Sequence, residues 1–339
     1  MTPYAFDIVC IGNAKIDTFL TLDEANHNLR FLKETNELCV KFGEKITVDK
    51  AEVLLGGNAA NVAVGASRLG LKTALVAEIG VDEFAQKIIN TLSVENVDTS
   101  SVMQTQGQQS SFSTIINFKK ERTIFSEHVR REHNFNFENI ATKWVYLTSL
   151  GDLWQDAYNK TVNFVNNKCH LAFNPGTLQI EQGLSNIEHV MTATHVLFVN
   201  KQEAMKISNE NKSSTFFSRS IDSRGKLRGF KKVLDKNENP KLIKQLLVSL
   251  KNLGPKIIVI TDGENGSFAI DEKGVIYRKG VVKAEVVEKT GAGDAYASGF
   301  ISAFIKNKSI DEAMEWGTKN SASVINKVGA QAGLLRKID

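Results

Sequence analysis

Short, nearly continuous apolar runs followed by helical patterns recur along this chain, and that alternation limits the fold more than any other feature. Phe6-Asp-Ile-Val-Cys-Ile11, ending in Gly12, reads as a strand buried on both faces. Thr73–Ile79, Trp144–Leu150, His170–Asn174, His195–Val199 and Lys256–Thr261 read the same way. Helices are expected at Asp82–Ser93, Gln155–Asn167, Lys241–Leu253 and Asp311–Lys327. Such alternation implies an α/β fold, a mainly parallel sheet with helices on both faces. The 339 residues show no internal repeat and suffice for one large domain with an appendage.

Strand-prone segments interrupt this order. Thr18-Phe-Leu20, Leu38-Cys-Val40 and Ile46-Thr-Val48 are β-prone, and Ser111–Phe118 with Arg122–Phe125 reads as a hairpin turning at Lys119-Lys-Glu121. Segments 17–21, 36–55 and 110–126 together predict a small antiparallel sheet set beside the main domain as a lid. Residues 208–239, rich in Ser, Lys, Arg and Asn, keep neither period. They are expected to form a flexible insertion, with an oligomer contact or a nucleotide-gating loop as the sharper alternative.

Charge excludes some classes. A net charge of +4 is too small to argue for nucleic acid. No apolar run approaches membrane-spanning length, and no signal peptide is visible, so a cytoplasmic protein without a membrane partner is expected. Cys10, Cys39 and Cys169 are far apart and form no CxxC or Cys/His cluster. His128 and His133 lack the spacing of a zinc protease helix. Walker, GxGxxG and GxSxG motifs are absent, which argues against a P-loop enzyme, a Rossmann oxidoreductase and an esterase-type hydrolase.

Two glycine-bearing stretches remain. In Gly56-Gly-Asn-Ala-Ala-Asn61, the glycines let backbone approach a ligand, Asn58 is the expected N-cap of a small-residue helix, and Asn61 lies one turn in. In Glu288-Lys-Thr-Gly-Ala-Gly-Asp294, Gly291 and Gly293 allow a turn that offers backbone N–H groups beside a helix N-terminus, a place for an anion. Asp294 either caps that helix or serves as a base beside a phosphate. Asp17 follows the first strand at the edge where open α/β sheets bind ligands; a turn role is its plain alternative.

These stretches, in order with Asn200-Lys-Gln-Glu203 and Thr261-Asp-Gly-Glu-Asn-Gly266, resemble the ribokinase/PfkB family of carbohydrate and nucleoside kinases from about Asp7 to Leu334. The resemblance implies a ribokinase-like central sheet with a β lid, and ATP-dependent transfer to a primary hydroxyl of a small sugar or polyol. It implies Asp294 as general base, with Gly291, Ala292 and Gly293 presenting amides to the moving phosphoryl group. By the same likeness Asp17, Gly57, Asn58 and Asn61 bind substrate, and Asn200 and Glu203 position Mg²⁺ through water. Thr261, Gly263 and Gly266 line the nucleotide loop, and Asn320 approaches the adenine. A homodimer formed through the lid is a candidate assembly.

Two departures stand out. The second signature opens Glu288-Lys289 where relatives often have Asp-Thr, in a region that holds a monovalent cation in related kinases, so K⁺ is a candidate cofactor. Lys15 replaces a polar neutral residue of ribose-specific members. Lys119, Lys120, Arg122, Arg130 and Arg131 would suit a sugar phosphate, with a solvated face as the plain alternative; Phe19, Phe112 and Phe118 would suit an adenosine-like nucleoside, with lid core as theirs. A non-catalytic ligand-binding relative is the alternative of another class, and the intact Asp294 argues against it.

Overall fold

The computed structural model describes residues 5–119, 121–127, 129–166, 168–208 and 239–338. The strands are β1 (Phe6–Ile11), β2 (Lys15–Leu22), β3 (Leu29–Leu32), β4 (Glu37–Val40), β5 (Val48–Gly56), β6 (Thr73–Ile79), β7 (Val97–Asp98) and β8 (Val102–Gln104). They continue with β9 (Phe112–Phe118), β10 (Glu121–Ser126), β11 (Thr142–Thr148), β12 (His170–Asn174), β13 (Val196–Asn200), β14 (Ile257–Thr261), β15 (Ser267–Ile270) and β16 (Ile276–Lys279). The helices are α1 (Asn58–Arg68), α2 (Glu83–Val94), α3 (Trp154–Val165), α4 (Thr177–Glu181) and α5 (Glu188–Ala193). After them come α6 (Lys201–Ile207), α7 (Asn239–Lys251), α8 (Ala292–Ile305) and α9 (Ile310–Val324).

The large sheet runs β16-β15-β14-β13-β12-β11-β1-β6-β7, with β8 also on β6. Every pair from β14 to β7 is parallel, and β15 and β16 close one edge as an antiparallel hairpin. Alternation along each strand sends neighbours to opposite faces. Ile8 and Cys10 join the core under α1, α8 and α9, while Val9 and Ile11 join the one under α3, α5 and α7. The apolar runs are therefore continuous because both faces are covered.

The lid is a four-stranded sheet, β10-β9-β2-β5. β2 pairs antiparallel with β5 and β9 antiparallel with β10, but β2 and β9 run parallel. Segment 36–55 does not enter it as one piece. β4 pairs with β3 in a separate two-stranded ribbon, Ile46 lies outside any strand, and only β5 joins the lid. The polar stretch around Gly43 between β4 and β5 is long enough to let the two halves go to different sheets. Of the expected 208–239 insertion, residues 209–238 lie outside the described residues.

Helix α8 is buried on nearly every face, from Asp294 to Ala303, which makes it the central helix of its layer. Small residues let its neighbours come close. A Cβ on Gly65 of α1 would collide with Ser298, and one on Gly299 would meet the Trp316 backbone of α9. This close packing brings the N-terminal turns of α1 and α8 together.

Candidate active site

The C-terminal ends of the parallel strands, the N-termini of α1, α6 and α8 and the inner face of the lid enclose a cavity of about 320 Å³. Ligand clefts sit at this edge of open α/β sheets. Asp17 enters it from β2 and is 4% exposed. Its room comes from across the ladder: Leu55 and Gly56 face Ile16 and Lys15, and a Cβ on Gly56 would strike the Asp17 carboxylate. Burial raises the Asp17 pKa, opposed by the Lys15 cation and the Ser113 hydroxyl, and its Oδ1 has no partner. An unpartnered buried carboxylate oxygen is a ready acceptor for a hydroxyl.

Gly57 begins α1 at φ 95°, and a Cβ there would run into the Asn13 carbonyl. Gly57, not Asn58, is therefore the N-cap; no side-chain oxygen caps this helix, and Asn58 instead lines the cavity. Asn61, one turn further, donates from Nδ2 to Asp294 Oδ2 at 2.8 Å.

Asp294 stands in the first turn of α8. Gly291 caps that helix in the left-handed region, φ 77°, where a Cβ would collide with Ala330. Gly293 has open space where its Cβ would be. Gly291, Ala292, Gly293 and Asp294 all line the cavity. The helix start thus presents N–H groups, that of Ala292 also reaching the Lys289 carbonyl at 3.4 Å, and room for an anion beside the carboxylate. Burial pushes the Asp294 pKa up to about 7; the Asn61 amide and Lys15 oppose that rise, and Asp17 and Glu203 add to it. A carboxyl poised near neutrality suits a general base.

On the opposite wall, Asn200 and Glu203 form a capping box on α6: Glu203 N–H donates to Asn200 Oδ1 at 2.9 Å, and Asn200 N–H donates to Glu203 Oε2 at 2.8 Å. Both line the cavity, and burial raises the Glu203 pKa. One carboxylate oxygen of Glu203 remains outside the cap, and no group of three or more potential His, Cys, Asp or Glu ligands exists among the described residues. That donor set fits Mg²⁺ held largely by water and phosphate oxygens. Thr261 lines the cavity at the end of β14. Gly263 lies just beyond it at φ 51° with open space around it, a fit for a nucleotide loop. Gly266 serves the β14–β15 turn, since a Cβ would meet the Lys279 carbonyl.

Asn320 does not reach the cavity. It is fully buried on α9, where Nδ2 donates to Ala295 O at 2.9 Å and Ser298 Oγ at 3.1 Å, and Oδ1 accepts from Leu335 N–H at 2.9 Å. Its polarity ties α8, α9 and the C-terminal segment together, so the adenine contact expected of it is corrected to a structural one.

Several cavity residues carry no motif. Asn174, at the end of β12, donates to Phe198 O at 2.8 Å, and strand-end position was the one sequence signal for it. Lys15 Nζ donates to Ser113 Oγ at 2.7 Å and Ser126 Oγ at 3.2 Å, which holds an ammonium between Asp17 and Asp294. Burial lowers its pKa, and the two carboxylates counter that. Arg122 reaches the cavity from β10, 3.8 Å from Glu288, and its Nε has no hydrogen-bond partner. Glu288 is 2% exposed and accepts from Thr290 N–H, so a guanidinium already faces the carboxylate where K⁺ was expected. Lys289 pairs with Glu121 of β10 at 2.6 Å. The lid is therefore linked by two ion pairs to the loop that precedes α8.

Residues 7–337 match the family model described as pfkB family carbohydrate kinase. The chain belongs to the PfkB carbohydrate kinase family. As a PfkB kinase it is a phosphotransferase acting on a hydroxyl group of a sugar. It is 26% identical over 343 residues to 5-dehydro-2-deoxygluconokinase of Halalkalibacterium halodurans, a match covering 96% of this chain and 90% of that one. Its fold is that of the ribokinase-family nucleoside kinase of Methanocaldococcus jannaschii (TM-score 0.72, 21% identity, covering 97% of this chain and 94% of that one). The ribokinase of Cryptococcus neoformans, solved in complex with ADP, gives a TM-score of 0.72 at 18% identity, covering 97% of this chain and 96% of that one. No helix among the described residues is long and apolar enough to cross a membrane.

Proposed function

We propose that the protein transfers the terminal phosphoryl group of ATP to a primary hydroxyl of a small carboxylated sugar, with Asp294 as general base. The observation that carries this reading is Asp294 itself: buried, raised to about 7, beside the Gly291–Gly293 turn and in one cavity with Asp17. Asp17 Oδ1 receives substrate hydroxyls. Asp294 Oδ2 is held by Asn61, which leaves Oδ1 to take the proton as the acceptor oxygen attacks. The amides at Gly291, Ala292 and Gly293 face charge that grows on the phosphoryl oxygens. ATP supplies the phosphoryl group, and Mg²⁺, when bound, neutralises phosphate charge. Thr261 and Gly263 would hold the nucleotide, and Glu203, fixed by its cap with Asn200, would hold the metal's water. We assign no step to a monovalent cation.

The acceptor class rests on Lys15 and Arg122. Two cations on the lid side of the cavity favour a carboxylate. The relatives named for a deoxygluconate support the same class. Phe19, Phe112 and Phe118 are not among the cavity residues; the apolar lid side chains that line it are Ile115 and Ile124, so cover for a nucleoside base would be aliphatic. Two copies could pair across the outer lid face, where Phe125 is exposed.

The test is ADP release with ATP, Mg²⁺ and 5-dehydro-2-deoxygluconate, ribose or adenosine, for the wild type and Asp294→Asn. The reading predicts turnover of the sugar acid and a loss of about 10²–10⁴-fold in the variant. Turnover of adenosine alone, or an equally active variant, contradicts it.

A further inference from the structure

Asn61 is the middle member of a hydrogen-bond chain that no motif in the sequence announces. Its Nδ2 donates to Asp294 Oδ2 at 2.8 Å, and its Oδ1 accepts from Gln331 Nε2 at 2.9 Å. Gln331 lies in the turn after α9 and is 9% exposed. That turn is anchored from the far end of α1. Arg68 donates from Nη1 to the Gln331 carbonyl at 2.6 Å and to the Leu334 carbonyl at 3.1 Å, and its Nε and Nη2 hold the two oxygens of Glu95 at 2.9 and 2.6 Å. The Arg68–Glu95 pair is itself nearly buried, so the anchor keeps its geometry.

A primary amide has two unlike ends, and a 180° turn about its last bond exchanges donor for acceptor. The two orientations of Asn61 have the same shape and opposite electrostatics. With NH₂ toward Asp294, the ionised carboxylate receives a hydrogen bond. With the carbonyl toward it, two acceptors face each other in a buried place. An ionised Asp294 favours the first, and Gln331, whose Nε2 donates to the other end of Asn61, adds to that preference.

We infer that Gln331 is a positioning residue of the phosphoryl-transfer reaction: it locks the Asn61 amide with its donor end on Asp294 and so keeps the base ionised and aimed. The inference rests on the assignment of Asp294 as the base. The charged or titratable groups facing Asp294 from other elements are Asp17 and Lys15 on β2, Glu203 on α6 and the phenol of Tyr146 on β11. None of these fixes the orientation of the Asn61 amide; Gln331 bonds to it directly.

Gln331→Glu tests this, because a carboxylate can only accept and would draw the Asn61 NH₂ away from Asp294. The titration of Asp294 is followed by NMR of protein carrying ¹³C-labelled aspartate carboxyls, with the Asp294 signal assigned by its loss in Asp294→Asn. The midpoint is expected to rise by on the order of one pH unit in Gln331→Glu. The acid limb of kcat/KM should move by the same amount, with kcat near wild type at high pH. The added charge also acts through space, so the substitution is repeated in an Asn61→Leu background, where a clearly smaller rise is expected. An unmoved midpoint, or an equal rise in both backgrounds, overturns the inference. If Gln331→Glu does not fold, Gln331→Met keeps the shape and removes the donor. It should raise the midpoint by less, and only when Asn61 is present; no rise overturns the inference. Failure of the Asp294 assignment would show separately, as an active Asp294→Asn enzyme with the NMR shift intact.

Discussion

The two walls of the cleft are built in opposite ways. The wall that bears Asp294 is the start of α8, a helix buried from Asp294 to Ala303 and packed through glycines against α1 and α9. The wall that bears Asp17 and Lys15 belongs to a sheet assembled from separate chain segments, and its outer strand β10 is exposed along most of its length. In the proposed reaction the chemistry would thus rest on elements whose positions are fixed by the core. Selectivity would rest on a thinner sheet, tied in at its base by Ile16 and Leu55, which join the main core, and by the Phe84–Phe112 ring contact, and at its outer strand by Arg122–Glu288 and Lys289–Glu121. Rigid placement of reacting groups and adaptable placement of recognition groups make different demands on packing.

The strongest way to break the contrast is Gly291→Val. At φ 77° and against Ala330, a β-branched residue must distort the turn that presents the amides. Stopped-flow measurement should show kcat reduced by about 10²–10³-fold, with acceptor affinity nearly kept. A variant with normal kcat would mean that the turn does not stabilise the transferring group. Next comes Lys15→Met on the lid side. Loss of a charge-assisted contact should raise KM for 5-dehydro-2-deoxygluconate by roughly 10–100-fold, with kcat little changed only well above the Asp294 pKa, which rises further once the Lys15 cation is gone. At such a pH a neutral sugar should keep its KM, and an equal KM effect on both would remove the carboxylate from the account. The smallest kinetic effect belongs to Asn320→Leu. Three internal hydrogen bonds are lost, so thermal or urea unfolding should report a loss of about 1–3 kcal/mol. KM for ATP should stay the same, and a selective rise in it would restore the adenine role.

The same contrast explains what could be read from the sequence. The fixed wall was legible: each buried strand is a local apolar run, and the small-residue patterns of Gly56–Gly70 and Gly291–Phe304 mark close helix packing. The bounds of β6 and β12 agree with the expected Thr73–Ile79 and His170–Asn174. The lid was legible only in part. The β propensity of Leu38–Val40 does not say which partner it takes, and it takes β3 rather than the lid. The parallel pairing of β2 with β9 joins residues nearly a hundred positions apart, beyond any local signal. Polar residues were ambiguous for a similar reason. Asn320 and Gln331 are both buried amides near the end of the chain, and only the partners of each tell a helix tie from a link to the base.

The central claim is that a buried Asp294 accepts the proton of the substrate hydroxyl. Its folded pKa is raised, so the neutral form prevails below about 7 and the base is lost as pH falls through that value. The sign for stability is the reverse: a raised carboxyl favours folding at low pH, and that contribution disappears as pH rises through about 7. The direct measurement is kcat/KM against pH for the wild type with 5-dehydro-2-deoxygluconate under saturating ATP and Mg²⁺. The account predicts a single-proton acid limb with a midpoint near 7. A profile that stays flat down to pH 5 would contradict it.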